Sequence, residues 1–512
     1  MIPVARAPAH LLPPLFTPRP RAARARPASL VDVVLDPAQR SAVERPAGRS
    51  LLILGEAGHG KTTVALHRLA HLWRSSPTPL RAAVVVPNEG LARLIQPLLR
   101  RLGVDLEVLT YDRWASAQAR RGFRRLPRES DSTPPGVMRL KRHPALRIAL
   151  EDLAQREPGR IDDDRDAVVP SRSARVTRGD LQHLFGDRTL LERVARAGGL
   201  PARLVDETLD RSRIQFSATA EEQWAHVTDR ARLVAVDRRA LDDGTASADA
   251  KTVDVEDYAV LFELDHLRAS RHGRPPAARR TYDVLMLDEA QELAPLELAL
   301  LGRSLAPGGT LVVAGDADQQ TDATTSFQGW STTMQQLGCD RYDAVNLEVG
   351  YRCSPDVVAL SRSIRAPGDR EAQRTENQPR AFAHEAALDA WLADGLRILR
   401  RRDPRASVAV VCRAPLTARR VAGALQAAEV PARVVFDGRF LPRGPVQVST
   451  VEEVKGLEFD FVVVPDASAA HYPDDPAARH ALYVAVTRAR HQVALACVGE
   501  PSVLPGGGRG SP

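Results

Sequence analysis

The sequence contains few cysteines and no long apolar segment, and both shortages exclude classes of protein. The cysteines are widely spaced and lack the paired spacing of metal ligands; they are Cys339, Cys353, Cys412 and Cys497. A reducing cytoplasm is therefore the expected location. No run of about 18 uncharged apolar residues occurs, so the sequence predicts no transmembrane helix.

Lysine and aromatic residues are scarce as well. Only four of the 71 basic residues are lysines, which leaves 67 arginines, and aromatic residues make up 4% of the chain. An ammonium and a guanidinium are not interchangeable, so a lysine that remains is a candidate for a chemical role. Lys61 and Lys455 both fall within the motifs described below.

Length and composition indicate a folded protein of several domains. A chain of 512 residues is longer than one hydrophobic core usually sustains, so two or three domains are expected. Hydrophobic residues at 44% and charged residues at 26% are typical of soluble globular proteins. The net charge of +7 permits attraction to phosphate backbones without identifying a partner.

A phosphate-binding loop is predicted after the first apolar strand. Leu51 to Leu54 is typical of a buried parallel strand, and a helical pattern begins at Val64. The glycines between them let backbone N–H groups turn towards phosphates, and Lys61 can reach the β- and γ-phosphates. Thr62 would hold magnesium. The residues assigned to ATP binding here are Gly55, Glu56, Ala57, Gly58, His59, Gly60, Lys61, Thr62 and Thr63.

Polar residues follow two further apolar strands. Tyr282 to Leu287 precedes Asp288 and Glu289, which places two carboxylates where open α/β sheets hold their ligands. Asp288 can hold magnesium, and Glu289 can accept a proton from the water that attacks the γ-phosphate. The next strand, Thr310 to Ala314, leads to Gln319, a candidate sensor of hydrolysis.

Two arginines in the second half of the sequence are candidates to complete this site. Phosphoryl transfer builds negative charge on the phosphate oxygens, so arginines supplied by a second domain would assist it. Arg352 follows Tyr351 before a helical pattern, and Arg488 lies just before an apolar strand. Among 67 arginines, only the motif context distinguishes these two. Lys455 and Glu458 lie in a third motif, again beside an apolar strand.

Taken in order, these segments resemble the motif series of the UvrD/Rep-like superfamily 1 DNA helicases, from about Leu35 to Cys497. Residues 36–39 resemble the Q motif of that family. The resemblance implies ATP and Mg²⁺ as cofactors, and it assigns adenine, ribose and γ-phosphate contacts. These assignments are Gln39 to the adenine edge, Tyr351 to the adenine face, Glu458 to the ribose, and Arg352 and Arg488 to the γ-phosphate.

The same resemblance implies that loops after the second and third strands contact single-stranded nucleic acid. The expected contacts are Pro87, Asn88, Thr110, Tyr111 and Trp114. The Thr110 hydroxyl can bond a phosphate, and the Trp114 ring can stack on a base. Trp114 can equally be a buried packing residue, and both interpretations stay open.

Three features depart from the family pattern. Thr63 stands where many relatives carry an arginine that packs on the adenine, and Glu452 stands where a DNA-contacting histidine is common. Arg352 and Lys455 are 103 residues apart (455 less 352), which suits a RecA-like core but not the large accessory insert of many relatives.

Local features resemble one branch, the HelD-like proteins, which act on bacterial RNA polymerase. They include the Pro87–Asn88 pair and the segment from Lys455 to Asp460. The Q motif is preceded by only about 35 residues, rich in proline and arginine, whereas that branch carries a long coiled-coil arm there. The arm is therefore expected to be missing.

The expected fold is α/β, with two RecA-like parallel-sheet cores of the P-loop NTPase type and a mainly helical insert in the first core. The predicted divisions are a disordered arm at 1–29, a first core at 30–338 with its insert at about 118–275, a second core at 339–499, and a flexible tail at 500–512.

Three functions are considered. The leading hypothesis is an ATP hydrolase that moves 3′-to-5′ on single-stranded or partly duplex DNA and unwinds it or displaces proteins, in the cytoplasm and associated with the nucleoid. The polarity comes from the resemblance alone. The second is a HelD-like ATPase that remodels RNA polymerase. The third is a nucleotide-gated adaptor without activity, against which the retained Lys61, Asp288 and Glu289 argue.

Overall fold

The computed structural model describes residues 14–16, 31, 33–123, 126–155, 176–217, 219–234, 248–350, 353–365, 379–441 and 443–504. Its helices and strands follow in this order: α1 (Pro37–Val43), β1 (Ser50–Gly55), α2 (Lys61–Ser75), β2 (Ala82–Val86), α3 (Glu89–Arg101), β3 (Val108–Thr110), α4 (Tyr111–Gly122), β4 (Arg128–Glu129), α5 (Pro135–Lys141), α6 (Leu146–Gln155), α7 (Arg178–Gly186), α8 (Arg188–Ala197), α9 (Arg203–Phe216), α10 (Ala220–Trp224), β5 (Thr252–Val253), α11 (Glu256–His272), β6 (Tyr282–Leu287), α12 (Pro295–Arg303), β7 (Leu305–Gly315), α13 (Trp330–Gln336), β8 (Tyr342–Leu347), α14 (Pro355–Arg365), β9 (Arg380–Phe382), α15 (Glu385–Arg402), β10 (Val408–Cys412), α16 (Pro415–Ala427), β11 (Ala432–Val434), β12 (Val446–Thr450), β13 (Phe459–Val464), α17 (Pro476–Thr487) and β14 (Ala489–Val498).

The first core is built on a parallel sheet with the strand order β3-β2-β6-β7-β1-β8. Its central strands are apolar runs because helices cover both faces of the sheet. Successive side chains point to opposite faces, so Leu52 and Leu285 pack on one face while Leu51 and Met286 pack on the other. The sheet therefore holds the carboxyl ends of β1, β6 and β7 next to one another.

The predicted insert is largely helical where the structure describes it, with α5 and α6 packed on α11 and with α7, α8 and α9 packed on α5 and α6 and on one another. A buried ion cluster holds it together: Lys141 Nζ lies 2.8 Å from Asp254 Oδ2 and 2.6 Å from Asp257 Oδ1. Burial opposes the charge of Lys141, but the carboxylates of Asp257 and Asp254 raise its pKa. Lys141, one of the four lysines, thus serves packing and charge pairing inside the insert.

The second core is a separate parallel sheet with the order β11-β12-β10-β13-β14-β9. The structure differs here from the predicted boundary at 338/339, because β8 pairs with β1 in the first sheet, from Ser50 with Tyr342 to Gly55 with Leu347. The second core therefore begins after Leu347. Two parallel-sheet α/β units are compatible with the predicted pair of RecA-like cores.

Residues 14–16 lie against the second core, which differs from the expectation of a disordered arm at these positions. Leu15 and Phe16 are buried, and the Phe16 and Phe461 ring centroids are 4.8 Å apart. Leu15 lies directly over Gly395 of α15. The rest of the predicted arm, and the tail beyond Leu504, lie outside the described residues.

None of the helices that the structure describes combines the length and the apolar character needed to cross a membrane.

Candidate functional site

The loop between β1 and α2, Gly55–Gly60, is called the glycine loop below. Gly58 and Gly60 have φ angles of 85° and 86°, a left-handed conformation that favours glycine. Gly60 is the N-cap residue of α2, and because glycine has no side chain it makes no capping hydrogen bond to the first turn of the helix. The first N–H groups of this helix are thus left for an anion.

Lys61 is held inside the glycine loop. Its buried Nζ donates to the Gly55 carbonyl at 2.8 Å and to the Glu56 carbonyl at 3.1 Å, and it lies 3.5 Å from Asp316 Oδ2. These contacts place the ammonium where the loop curves around it. Asp316 follows β7, so the ammonium also joins the ends of two strands.

Thr62 and Asp288 meet at the end of β6. The Thr62 hydroxyl donates to Asp288 Oδ2 at 2.8 Å. Burial, followed by the neighbouring Glu289 charge, raises the pKa of Asp288 to about 7, against the opposing influence of Thr62 and Lys61. The negative charge of the Asp288 carboxylate is therefore poorly compensated by its neighbours in this site.

Glu289 is oriented by Gln291, a residue that was not among the predicted site residues. Glu289 has a positive φ of 54°, unusual for a residue with a side chain, and Gln291 Nε2 donates to its Oε2 at 2.6 Å. Gln291 Oε1 accepts from the Asp316 backbone N–H at 3.2 Å. The buried Gln291 therefore fixes Glu289 relative to the end of β7.

Gln319 connects the two cores. Its Nε2 donates to Asp316 Oδ2 at 2.8 Å, and its Oε1 accepts from Arg488 Nη2 at 2.6 Å. Its carbonyl accepts from Lys455 Nζ at 2.6 Å. The structure thus brings together four predicted site residues, Lys61, Gln319, Lys455 and Arg488, through the contacts of Gln319 and Asp316.

Lys455 and Asn88 also lie at the junction between the cores. Lys455 Nζ forms an ion pair with Glu292, and Asn88 Nδ2 donates to the Lys455 carbonyl at 3.2 Å. Asn88 Oδ1 caps helix α3 through the Leu91 N–H at 2.8 Å. Asn88, predicted to contact nucleic acid, therefore bonds to the second core in this structure.

Gln39 lies beside the glycine loop, as its predicted adenine contact requires. It forms a capping box with Asp36 at the start of α1, and its Nε2 donates to the His59 carbonyl at 3.2 Å. Glu458 is paired with Arg490, whose Nε donates to Glu458 Oε2 at 2.7 Å. Tyr351 and Arg352 lie outside the described residues.

Trp114 is a packing residue in the structure, which favours the second of its two interpretations over stacking on a base. Its side chain is 0% exposed, and its indole N–H donates to the Tyr282 hydroxyl at 3.2 Å. Tyr111 is buried as well, and the Thr110 hydroxyl caps α4 by accepting from the Arg113 N–H at 3.4 Å. Of the five predicted nucleic-acid contacts, only Pro87 and Asn88 are partly exposed.

Glu452, the acidic residue noted as a departure from the family pattern, forms an ion pair with an arginine. Arg413 Nη1 lies 3.0 Å from Glu452 Oε1. The negative charge that Glu452 would present to a phosphate backbone is thus partly neutralised by its neighbour.

Two contacts of the second core with the glycine loop were not predicted from the sequence. The Ala57 N–H donates to the Tyr483 hydroxyl at 3.4 Å, and Arg365 Nη1 donates to Glu56 Oε1 at 2.7 Å. Tyr483 lies in the motif that contains Arg488, which was a usable signal. Arg365 has no such signal in the sequence.

The fold and the site together define a class: a two-core parallel α/β protein whose polar groups gather between the cores, at the carboxyl ends of strands. Residues 445–496, which contain Lys455, Glu458 and Arg488, match the family model described as the UvrD-like helicase C-terminal domain. This match covers part of the second core and supports the resemblance of that part to the UvrD-like helicases.

The C-terminal domain of a possible DNA helicase from Lactobacillus plantarum WCFS1 is similar at 24% identity over 31% of this chain and 92% of that one, with a TM-score of 0.26. No curated protein matches the sequence.

Proposed function

We propose that this protein is an ATP-driven motor that hydrolyses ATP between its two cores and moves 3′-to-5′ along single-stranded DNA, separating duplex or displacing proteins. The observation that carries the proposal is the unbroken series of polar contacts from Arg488 through Gln319 and Asp316 to Lys61. This series joins the second core to the glycine loop. A change in the position of the glycine loop would therefore alter its contacts with the second core.

The glycine loop suits the triphosphate of ATP. The uncapped start of α2 offers backbone N–H groups and the positive end of the helix dipole, and Lys61 supplies a charge among them. Gln39, bonded to the loop at His59, is in position to read the adenine edge. These features support ATP as the nucleotide, in agreement with a helicase-type family.

Thr62 and Asp288 fit a magnesium ion. Both offer oxygen ligands, which Mg²⁺ prefers, and their oxygens lie 2.8 Å apart. The pKa of Asp288 is raised because burial and the neighbouring Glu289 charge disfavour its carboxylate, and a bound cation would favour that carboxylate. A magnesium ion bound there would neutralise charge on the phosphate oxygens. Thr62 and Asp288 would hold it from the protein side.

Glu289 and the arginines would perform the hydrolytic step. Glu289, bonded to Gln291, would accept the proton of the attacking water. Arg488 would stabilise the charge that develops on the γ-phosphate, and Arg352 has the same predicted role. Because Arg488 is bonded to Gln319, loss of the γ-phosphate would alter the contact between the cores and so drive stepping.

The experiment is ATP turnover by the full chain with and without single-stranded DNA. Lys61→Ala and Glu289→Gln should abolish turnover, because they remove the phosphate contact and the proton acceptor. Lys251→Ala, which removes an exposed lysine of the insert, is the matched control and should retain it.

Turnover stimulated by DNA supports a translocating motor, and unwinding of substrates with 3′ or 5′ overhangs then tests the polarity. Turnover indifferent to DNA would favour the second hypothesis, an ATPase that remodels RNA polymerase, tested by co-purification with the polymerase. No turnover under either condition would refute the proposal and leave the nucleotide-gated adaptor.

A further inference from the structure

Arg365 reaches from the second core to two carboxylates of the first. It ends helix α14, its Nη1 lies 2.7 Å from Glu56 Oε1, and its Nε lies 3.0 Å from Asp318 Oδ2. Glu56 belongs to the glycine loop, and Asp318 follows β7. One guanidinium thus joins two segments that flank the place proposed for the phosphates.

These carboxylates create an electrostatic problem for an anionic ligand. The side chains of Glu56 and Asp318 are 34% and 40% exposed, so both charges lie near the surface beside the glycine loop, where an anionic ligand would enter. Asp288 and Asp316 lie deeper in the same site. A triphosphate that enters meets several negative charges, and each uncompensated carboxylate nearby weakens its binding.

The second core also contacts the glycine loop at Ala57, the residue after Glu56. The Ala57 N–H donates to the Tyr483 hydroxyl at 3.4 Å, and Ala57 packs on the hydrophobic cluster of the second core. Two adjacent loop residues, Glu56 and Ala57, are therefore in contact with the second core. This contact fixes the position of the Arg365 charge relative to the loop.

We infer that Arg365 is a positioning residue for ATP: it neutralises the carboxylates of Glu56 and Asp318 at the entrance of the glycine loop, so that the second core contributes to nucleotide affinity before hydrolysis. This inference rests on the proposed function. It gives Arg365 a role in binding and none in the chemical step, since its partners are carboxylates of the protein.

The test measures binding of a fluorescent non-hydrolysable ATP analogue with Mg²⁺ to the full chain, together with KM and kcat for ATP. Arg365→Ala should weaken analogue binding and raise KM by about fivefold, the upper range for a partly exposed ion pair, with kcat nearly unchanged. The loss should shrink at high ionic strength because exposed charges are screened. Arg362→Ala, which removes an exposed arginine of the same helix, is the matched control.

A second set of variants distinguishes two roles for Arg365: neutralising the two carboxylates, or acting as a brace that only holds the two cores together. Adding Glu56→Gln and Asp318→Asn to Arg365→Ala should restore affinity, because no carboxylate then needs a partner. A brace would not be restored by removing its partners, so failure of rescue overturns the inference. A fall in kcat at constant KM would also overturn it. If the wild-type chain binds no analogue, the proposed function itself fails; if it binds and Arg365→Ala binds equally, the inference alone fails.

Discussion

The contact between Arg488 and Gln319 can be measured by a double-mutant cycle in ATP turnover. Arg488 Nη2 donates to Gln319 Oε1 at 2.6 Å, and both side chains are buried. A hydrogen bond with one charged partner contributes about 1.5–3 kcal/mol, which corresponds to about 10- to 150-fold in kcat/KM. We expect Arg488→Met and Gln319→Ala each to lower kcat/KM within or beyond this range.

The double variant should be little worse than the poorer single variant, because the shared contact is already lost. The assay is steady-state ATP turnover with single-stranded DNA at saturation, with thermal unfolding of each variant to show that it is folded. Effects of the two substitutions that simply multiply would refute the reasoning, since they would mean that the residues act independently.

Three further predictions concern stability and pH. Trp114→Ala should lower the free energy of unfolding in urea by about 3–5 kcal/mol, since it empties a buried site, and an unchanged stability with weakened DNA binding would contradict the packing role. The pKa of Asp288 is raised from 3.8 to about 7, so without nucleotide the folded state loses stability as pH rises from about 4 to about 7. Asp288→Asn should remove this loss and should be more stable than wild type at pH 8. Thermal unfolding of both proteins across this pH range measures the difference. Lys141→Met should cost about 3–5 kcal/mol, because it leaves the buried Asp257 carboxylate without its cation and Asp254 with Arg211 as its remaining cation, whereas Lys251→Met, at an exposed position, should not; both are measured in urea.

Local features of the fold were predictable because their signals lie in a few consecutive residues. The strand, glycines and helix around Lys61 form one continuous segment. Asp288 directly follows the apolar strand β6, and Gln319 lies in the loop after β7. Strand β8 was missed because it lies at the edge of the sheet and includes Asp343 and Asn346 instead of an apolar run. The predicted boundary between the cores was therefore placed too early.

Features that depend on distant parts of the chain could not be predicted in the same way. Trp114 has the same residue type whether it stacks on a base or packs inside a core, and only the position of Tyr282 decides between them. Arg365 is one of 67 arginines and lies outside every motif. Its importance arises from Glu56 and Asp318, which are brought to it only by the packing of one core on the other.

The burial of Phe16 in the second core has a mechanical consequence. Val31 is buried in the hydrophobic cluster of the first core, whereas Leu15 and Phe16 are buried in that of the second. Described residues near the N-terminus therefore pack on both cores. A movement of one core relative to the other has to keep or break both of these contacts. The N-terminal residues would in this way help to set the direction in which the cleft opens.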